Sequence, residues 1–113
     1  MTRTADERVL RYEVWLVELD PTLGSEIRKK RPALIVSPDE MNKHIGHVII
    51  APISSPSGKY PTRIAVELLN NERSIVLDQL RTVDKVRLVK KIGDIGKAAR
   101  GKTLDRLQEM FAE

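Results

Sequence analysis

The sequence predicts a mostly β fold of the α+β class, a small antiparallel barrel with helices packed outside it. Several short apolar or alternating segments are separated by turns rich in proline, glycine, serine and asparagine. A helical pattern follows near the end of the chain, where Leu104, Leu107 and Phe111 recur at helical spacing. Short strands punctuated by turns, with one late helix, are typical of a small barrel.

The first predicted strand, Glu13 to Leu19, is apolar on both sides, so we expect it in the middle of its sheet. The other predicted strands are Ala33–Ser37, His47–Pro52, Thr62–Leu68, Ser74–Leu77 with a kinked continuation over Gln79–Val83, and Lys90–Ile95. The pattern also allows one helical turn after Pro38 and a short helix over Val86–Val89. Thr103 is predicted to cap the final helix.

Length and composition indicate one domain. The 113 residues are 41% hydrophobic and 32% charged, a balance that favours a folded chain over a disordered one. Residues 1–11 are polar and predicted to form a flexible tail before a single domain over residues 12–113. The absence of cysteine excludes disulfides and thiolate metal sites. Without a signal peptide or an apolar run long enough to cross a bilayer, a cytoplasmic protein is expected.

A cationic segment stands directly before the second predicted strand. Arg28, Lys29, Lys30 and Arg31 follow one another, and Pro32 ends the run. Together with a net charge of +4, this segment suits a polyanion or an anionic transition state. A solvated hairpin loop fits the same charge pattern equally well.

Other catalytic patterns are weaker. His44 and His47 are an acid–base pair for RNA cleavage or two metal ligands in principle, but the nearby acids lack ligand spacing, and a structural role is the simpler interpretation. Neither a serine-hydrolase elbow nor a glycine-rich nucleotide loop occurs in the chain. We therefore expect no cofactor and no metal.

Several short motifs occur between Tyr12 and the C-terminus. They are Val14–Pro21, Gly24-Ser25-Glu26, Arg31-Pro32-Ala33, Ala51–Ser55, Tyr60-Pro61-Thr62 and Leu77–Asp84. In this combination the chain resembles the MazF/PemK (Kid) family, the toxin endoribonucleases of type II toxin–antitoxin systems. The resemblance implies the fold of the MazF, PemK and CcdB toxins, a small SH3-like antiparallel barrel with a C-terminal helix.

The resemblance also implies an activity, the sequence-specific and metal-independent cleavage of single-stranded RNA by an mRNA interferase. The products would carry a 2′,3′-cyclic phosphate and a 5′-hydroxyl. RNA supplies its own 2′-hydroxyl nucleophile, so the protein must position it, help to move a proton and stabilise charge on the phosphorane.

The catalytic pair of the family is an arginine before proline and a threonine after the third strand. These positions correspond to Arg31 and Ser54. Serine keeps the hydroxyl but loses the β-branch that stiffens χ1, and it leaves Ser55 as a substitute. Glu26 is a candidate proton acceptor or a residue that orients Arg31, with a surface turn acid as the alternative.

Further residues are candidates for RNA contact. Tyr60 is placed to stack on a base and Gln79 to read a base edge, whereas a loop anchor and a strand-end amide are their structural alternatives. The full set of RNA-binding candidates is Ser25, Arg28, Lys30, Ser55, Lys59, Tyr60, Gln79 and Arg81.

The resemblance implies two protein partners, a second copy in a symmetric homodimer with the RNA groove across the interface, and an inhibitory cognate antitoxin. The alternative is a non-catalytic binding module on the same fold, either a gyrase poison or an RNA-binding barrel. Gyrase-poison relatives end in Trp-Gly-Ile, whereas this chain ends in Met110–Glu113. A degenerate toxin without activity is a third hypothesis, and Ser54 is its only support.

Overall fold

Antiparallel strand pairing organises the chain. The computed structural model describes residues 8–19 and 30–113. Its elements are β1 (Glu13–Glu18), β2 (Lys30–Ile35), α1 (Asp39–His44), β3 (His47–Ser54), β4 (Arg63–Leu68), β5 (Asn71–Val76), a 3₁₀ turn (Leu77–Gln79), β6 (Arg81–Asp84), a second 3₁₀ turn (Lys85–Arg87), β7 (Leu88–Asp94) and α2 (Lys97–Phe111). The strand order is β4-β5-β3-β2-β1-β7, and β6 pairs with β3.

The sheet divides along β3. One edge of β3 pairs with β2 through Ile50, Ala51 and Pro52. The opposite edge pairs with β6 over residues 47–50 and with β5 at residues 53–54. Because one eight-residue strand holds two partners on the same side, the sheet curls into a half-barrel rather than extending flat.

Alternate residues of β1 enter two different cores. Val14 belongs to the core that includes Leu34, Ile53 and Leu107 of α2. Trp15 and Val17 belong to the other core, with Ile35, Ile50 and Leu88 among its members. The prediction that β1 is a central strand, made from its two apolar sides, is confirmed by its position between β2 and β7.

The mostly β prediction is confirmed, but several boundaries differ. β2 begins at Lys30, so Lys30 and Arg31 belong to the strand itself. β3 continues to Ser54 and β5 begins at Asn71, beyond the predicted limits. The kinked continuation expected over residues 79–83 is observed, because after the 3₁₀ turn the chain continues as β6, which pairs with the same strand, β3, as β5 does. The short helix expected over residues 86–89 is observed as the 3₁₀ turn Lys85–Arg87, and residues 88 and 89 already form part of β7.

The N-terminus of α2 corrects another prediction. Thr103 does not cap the helix, because α2 begins at Lys97 and Thr103 is fully buried within it. Asp94 instead accepts a hydrogen bond from the Gly96 N–H at 2.7 Å and pairs with Arg100. Partial burial opposes ionisation of Asp94, but the bonds from Gly96 and Arg100 outweigh it and lower its pKa. Phe111, expected on the apolar face, is 72% exposed.

Residues that precede β1 contribute to the packing. Val9 is buried in the core of Trp15, and the Arg11 N–H donates to the Asp39 carboxylate at 2.7 Å. The predicted domain boundary at residue 12 stays a prediction, and residues 1–7 of the predicted tail lie outside the described residues. Within the described ranges, no helix is both long and apolar enough to cross a membrane.

Glu13 provides a test of how β1 is anchored. This buried carboxylate accepts bonds from the Leu10 N–H at 2.8 Å and the Trp15 indole N–H at 3.1 Å, and it pairs with Lys91 at 2.9 Å. We expect Glu13→Leu to lower the free energy of unfolding by about 1–3 kcal/mol per donor left unpaired. Glu13→Gln retains an acceptor oxygen and should cost less. Equal unfolding midpoints for the two variants in urea would contradict this role.

Candidate active site

A cleft opens where the ends of β1 and β3 meet the starts of β2 and β6. Its volume is about 410 Å³, and its lining residues are Leu19, Arg31, Pro52, Ile53, Ser54, Ser55, Gln79 and Arg81. Five of the residues predicted as catalytic or RNA-binding therefore line the same cleft: Arg31, Ser54, Ser55, Gln79 and Arg81.

The strand register explains why Arg31 and Ser54 share this cleft. Ala33 of β2 faces Pro52 of β3 in the antiparallel ladder. Continuing the same register by two residues leads to Arg31 on one strand and Ser54 on the other. Arg31 also faces Val17 of β1, so its backbone is held from the other side by a central strand.

Arg81 reaches the cleft from a different element. It opens β6 and faces Ile50 in the β3 ladder. Gln79 precedes it in the 3₁₀ turn that separates β5 from β6. Both side chains are exposed, so they can meet a ligand without opening the core. The 3₁₀ turn, which lies where the sequence predicted a kink, is therefore the element that brings these two residues to the cleft.

Ser54 stands at the end of β3, where the strand pairs with Ser74 of β5. Its hydroxyl donates to the carbonyl oxygen of Ser55 at 2.8 Å. This local bond satisfies the hydroxyl proton in the free protein. To donate to a bound phosphate the hydroxyl must give up that bond.

The lining of the cleft favours anions. Two guanidinium groups, one amide and two hydroxyls are present, and among the described residues no carboxylate lines it. Planar guanidinium groups pair with two phosphate oxygens at once. Leu19, Pro52 and Ile53 add apolar wall that lowers the local dielectric and strengthens such contacts.

The remaining candidates lie elsewhere. Lys30 faces Glu18 across the β1–β2 ladder and does not line the cleft. Lys59 and Tyr60 are exposed in the loop between β3 and β4, outside the cleft lining. Ser25, Glu26 and Arg28 lie outside the described residues, so their proposed roles stay predictions.

The two histidines stay away from the cleft. His44 pairs with Glu40 at 3.1 Å on α1, and His47 faces Asp84 at the other end of the β3–β6 ladder. Across residues 8–19 and 30–113, no cluster of three or more metal-ligating His, Asp or Glu side chains is present. The structural interpretation of both histidines fits these positions.

A polar cluster that the sequence analysis did not assign lies beside the cleft. Asp78 accepts bonds from Thr62 Oγ1 at 2.9 Å, Arg63 Nε at 3.2 Å and Arg63 Nη2 at 3.3 Å. The Arg63 and Thr62 hydrogen bonds lower the pKa of Asp78, and the same pairing raises the pKa of Arg63. Asp78 precedes Gln79 directly, and the Asp-Gln motif was the only available signal in the sequence.

Comparison with known proteins gives one consistent family. The profile described as "PemK-like, MazF-like toxin of type II toxin-antitoxin system" matches residues 10–111. A protein of Staphylococcus epidermidis named endoribonuclease MazF is 37% identical over 90 residues, which are 74% of this chain and 75% of that protein.

Solved structures share the fold at lower identity. An endoribonuclease from a mycobacterial species superposes with a TM-score of 0.75 at 22% identity, covering 94% of this chain and 93% of the other. The MazE–MazF crystal structure (Form-II) from Deinococcus radiodurans gives a TM-score of 0.79 at 20% identity, covering 93% and 96%. A structure of an endoribonuclease in complex with its cognate antitoxin, also from a mycobacterial species, gives a TM-score of 0.75 at 23% identity, covering 89% of this chain and 92% of the other.

The lowered pKa of Asp78 predicts how the stability of this region depends on pH. The ordinary value is 3.8, and the value in the folded protein lies below it. The Asp78 contacts therefore stabilise the fold fully above about pH 4 and are lost as the pH falls through the folded-state pKa. We expect the difference in unfolding free energy between wild type and Asp78→Asn to shrink over that acidic range. A difference that stays constant from neutral pH down to pH 2 would contradict the assignment.

Proposed function

The chain belongs to the PemK-like, MazF-like toxin family, and from this premise we propose that it is a sequence-specific, metal-independent endoribonuclease that cuts single-stranded RNA. The observation that carries the proposal is the meeting of Arg31 and Ser54 in one cationic cleft. Both were identified as the catalytic pair from sequence, and they come from different strands. The S. epidermidis relative, named an endoribonuclease, supports the same activity.

The proposed reaction uses the substrate's own nucleophile. The 2′-oxygen of one ribose attacks the adjacent phosphorus as its proton leaves, the bond from phosphorus to the 5′-oxygen breaks, and that oxygen gains a proton. The products are a 2′,3′-cyclic phosphate and a 5′-hydroxyl. No redox step and no water are needed, so positioning and charge stabilisation are the main tasks of the protein.

Arg31 is proposed to pair with the non-bridging phosphate oxygens, where negative charge grows in the transition state. A guanidinium suits this role because its planar fork donates two parallel hydrogen bonds. Arg81 supplies a second guanidinium in the cleft and is proposed to hold the RNA backbone. Gln79 and Ser55 are proposed RNA contacts beside it. Glu26 is the proposed proton acceptor, while Ser25, Arg28 and Lys30 are proposed to bind the RNA that leaves the cleft.

The proposed partners follow from family membership and size. The chain is proposed to act as a cytoplasmic homodimer with a single toxin domain over residues 12–113. A cognate antitoxin is proposed to neutralise it, as the antitoxin complex of the mycobacterial endoribonuclease suggests by analogy. The chemistry above requires neither a cofactor nor a metal ion.

One experiment tests the activity directly. Purified protein is incubated with a long RNA in the presence of a chelator, and new 5′ ends are mapped by sequencing. The proposal predicts 5′-hydroxyl ends at a repeated short motif. RNA binding without new ends would favour the alternative, a non-catalytic RNA-binding barrel.

Arg31→Ala is predicted to lower the cleavage rate by about a hundred- to ten-thousand-fold, because a charge-stabilising group is lost from the transition state. Arg31→Lys should be nearly as inactive, since an ammonium ion cannot reproduce the bidentate fork. Single-turnover cleavage of one mapped site measures both effects, and circular dichroism checks that the fold is retained. Wild-type turnover by Arg31→Ala would remove Arg31 from the site.

Ser54→Ala is predicted to lower the rate by roughly a hundredfold, in line with the loss of one preorganised donor. Ser54→Thr should keep or raise activity, because the β-branch narrows the χ1 distribution and reduces the entropy lost on reaching the reactive rotamer. Ser55→Ala is the matched control and should lose much less. If Ser55→Ala abolishes cleavage while Ser54→Ala is near wild type, Ser55 carries the hydroxyl.

A further inference from the structure

Tyr60 and Arg63 form a paired surface, the Tyr60–Arg63 surface, that is linked through Asp78 to the cleft residue Gln79. The Arg63 guanidinium carbon lies 5.3 Å from the centroid of the Tyr60 ring, within the range of a cation–π contact. Tyr60 is 62% exposed, so its ring is accessible to a ligand. Arg63 was not among the residues selected from sequence.

The loop that carries Tyr60 is fastened at both ends. The Ser57 N–H donates to Ser74 Oγ at 3.2 Å, and the Arg63 N–H donates to the Tyr60 carbonyl at 3.0 Å. The positive φ of Gly58, +82°, allows the turn between these points. The Tyr60 ring is therefore presented from a loop with a defined conformation, which lowers the entropy cost of binding.

Asp78 holds Arg63, the second residue of the Tyr60–Arg63 surface, in place. Its carboxylate accepts hydrogen bonds from both Nε and Nη2 of Arg63, so this edge of the guanidinium is already occupied. The guanidinium carbon lies over the Tyr60 ring. An ion-paired guanidinium that also lies over a tyrosine ring is suited to stack on a nucleobase.

Asp78 also connects this surface to the cleft. It is the neighbour of Gln79, which lines the cleft, and the Leu77 N–H donates to the Thr62 carbonyl at 2.9 Å. The 3₁₀ turn therefore contributes Gln79 to the cleft and Asp78 to the support of the Tyr60–Arg63 surface.

We infer that Tyr60 and Arg63 together form a stacking site for a base that flanks the scissile phosphate. Asp78 is the positioning residue, because it holds the Arg63 guanidinium over the Tyr60 ring. This inference rests on the proposed RNA cleavage. It assigns Arg63 to RNA recognition and gives Tyr60 a specific partner. The site contributes to substrate binding, so it affects KM and leaves the chemical step unchanged.

The test uses an RNA oligonucleotide that contains one mapped cleavage site, and a series in which each flanking nucleotide in turn is abasic. For the wild type we expect one abasic position to raise KM about five- to a hundredfold, the range of one base–aromatic stack. In Arg63→Gln and Tyr60→Ala, KM should rise by a similar factor on the intact RNA with kcat unchanged. The abasic position should then have little further effect, because its partner is already missing.

Two conservative variants separate stacking from charge and from structure. Arg63→Lys keeps the positive charge but loses the planar guanidinium, so its KM should be raised as much as that of Arg63→Gln. A wild-type KM for Arg63→Lys would overturn the inference. Asp78→Asn should weaken binding only where the flanking base is present, and an equal loss on the abasic RNA would mean that Asp78 supports the fold and not the site. Lys102→Gln, an exposed residue of α2, is the control for net charge.

Binding measurements distinguish failure of this inference from failure of the proposed activity. Fluorescence anisotropy with the same oligonucleotides, in an Arg31→Ala background, reports the stack without requiring cleavage. Loss of the abasic effect in Arg63→Gln under these conditions supports the stacking site even if the wild type cuts no RNA. An abasic effect that persists unchanged in both Arg63→Gln and Tyr60→Ala overturns it, whatever the activity.

Discussion

The division of β3 between two partners on one edge is the constraint on which this structure depends. Its first half pairs with β6 and its last two residues pair with β5. Between these two regions the chain must leave β5, turn through Leu77–Gln79 and enter β6. The cleft forms beside this turn, so sheet curvature and ligand-binding space have the same origin. A flat sheet with β5 and β6 in one continuous strand would have no equivalent cleft.

Much of the fold could be predicted from sequence because the strands obey simple periodicity. β1 has apolar residues on both sides and is central, and α2 follows the last strand as expected. The kink after Leu77 was predicted, but the pairing of β5 and β6 with one and the same strand, β3, could not be, because strand pairing depends on tertiary contacts that local composition does not show. Thr103 was misassigned as a cap for a related reason. A threonine is favourable before a helix, but here burial within α2 decided its position.

The residues that line the candidate site could be predicted from sequence, but the ion pair beside it could not. Arg31, Ser54, Ser55, Gln79 and Arg81 were found because short motifs place them, and the structure brings them together in the cleft. Arg63 and Asp78 could not be found in this way, since their significance is a mutual hydrogen-bond geometry across different elements. An ion pair between residues in separate elements leaves no local pattern in the sequence. The same holds for the Ser54 hydroxyl, whose bond to the Ser55 carbonyl depends on backbone conformation at the end of β3.

The order in which the cleft residues occur along the chain has a consequence for biosynthesis. Leu19, Arg31 and Ser54 come from the first half of the protein, whereas Gln79 and Arg81 come only after β5. During translation, a nascent polypeptide that ends before β6 has an unpaired edge on the first half of β3 and lacks two of the cleft's polar groups. For a toxin made on the ribosome, among the RNAs that it would cut, this order delays the complete site until most of the chain has emerged.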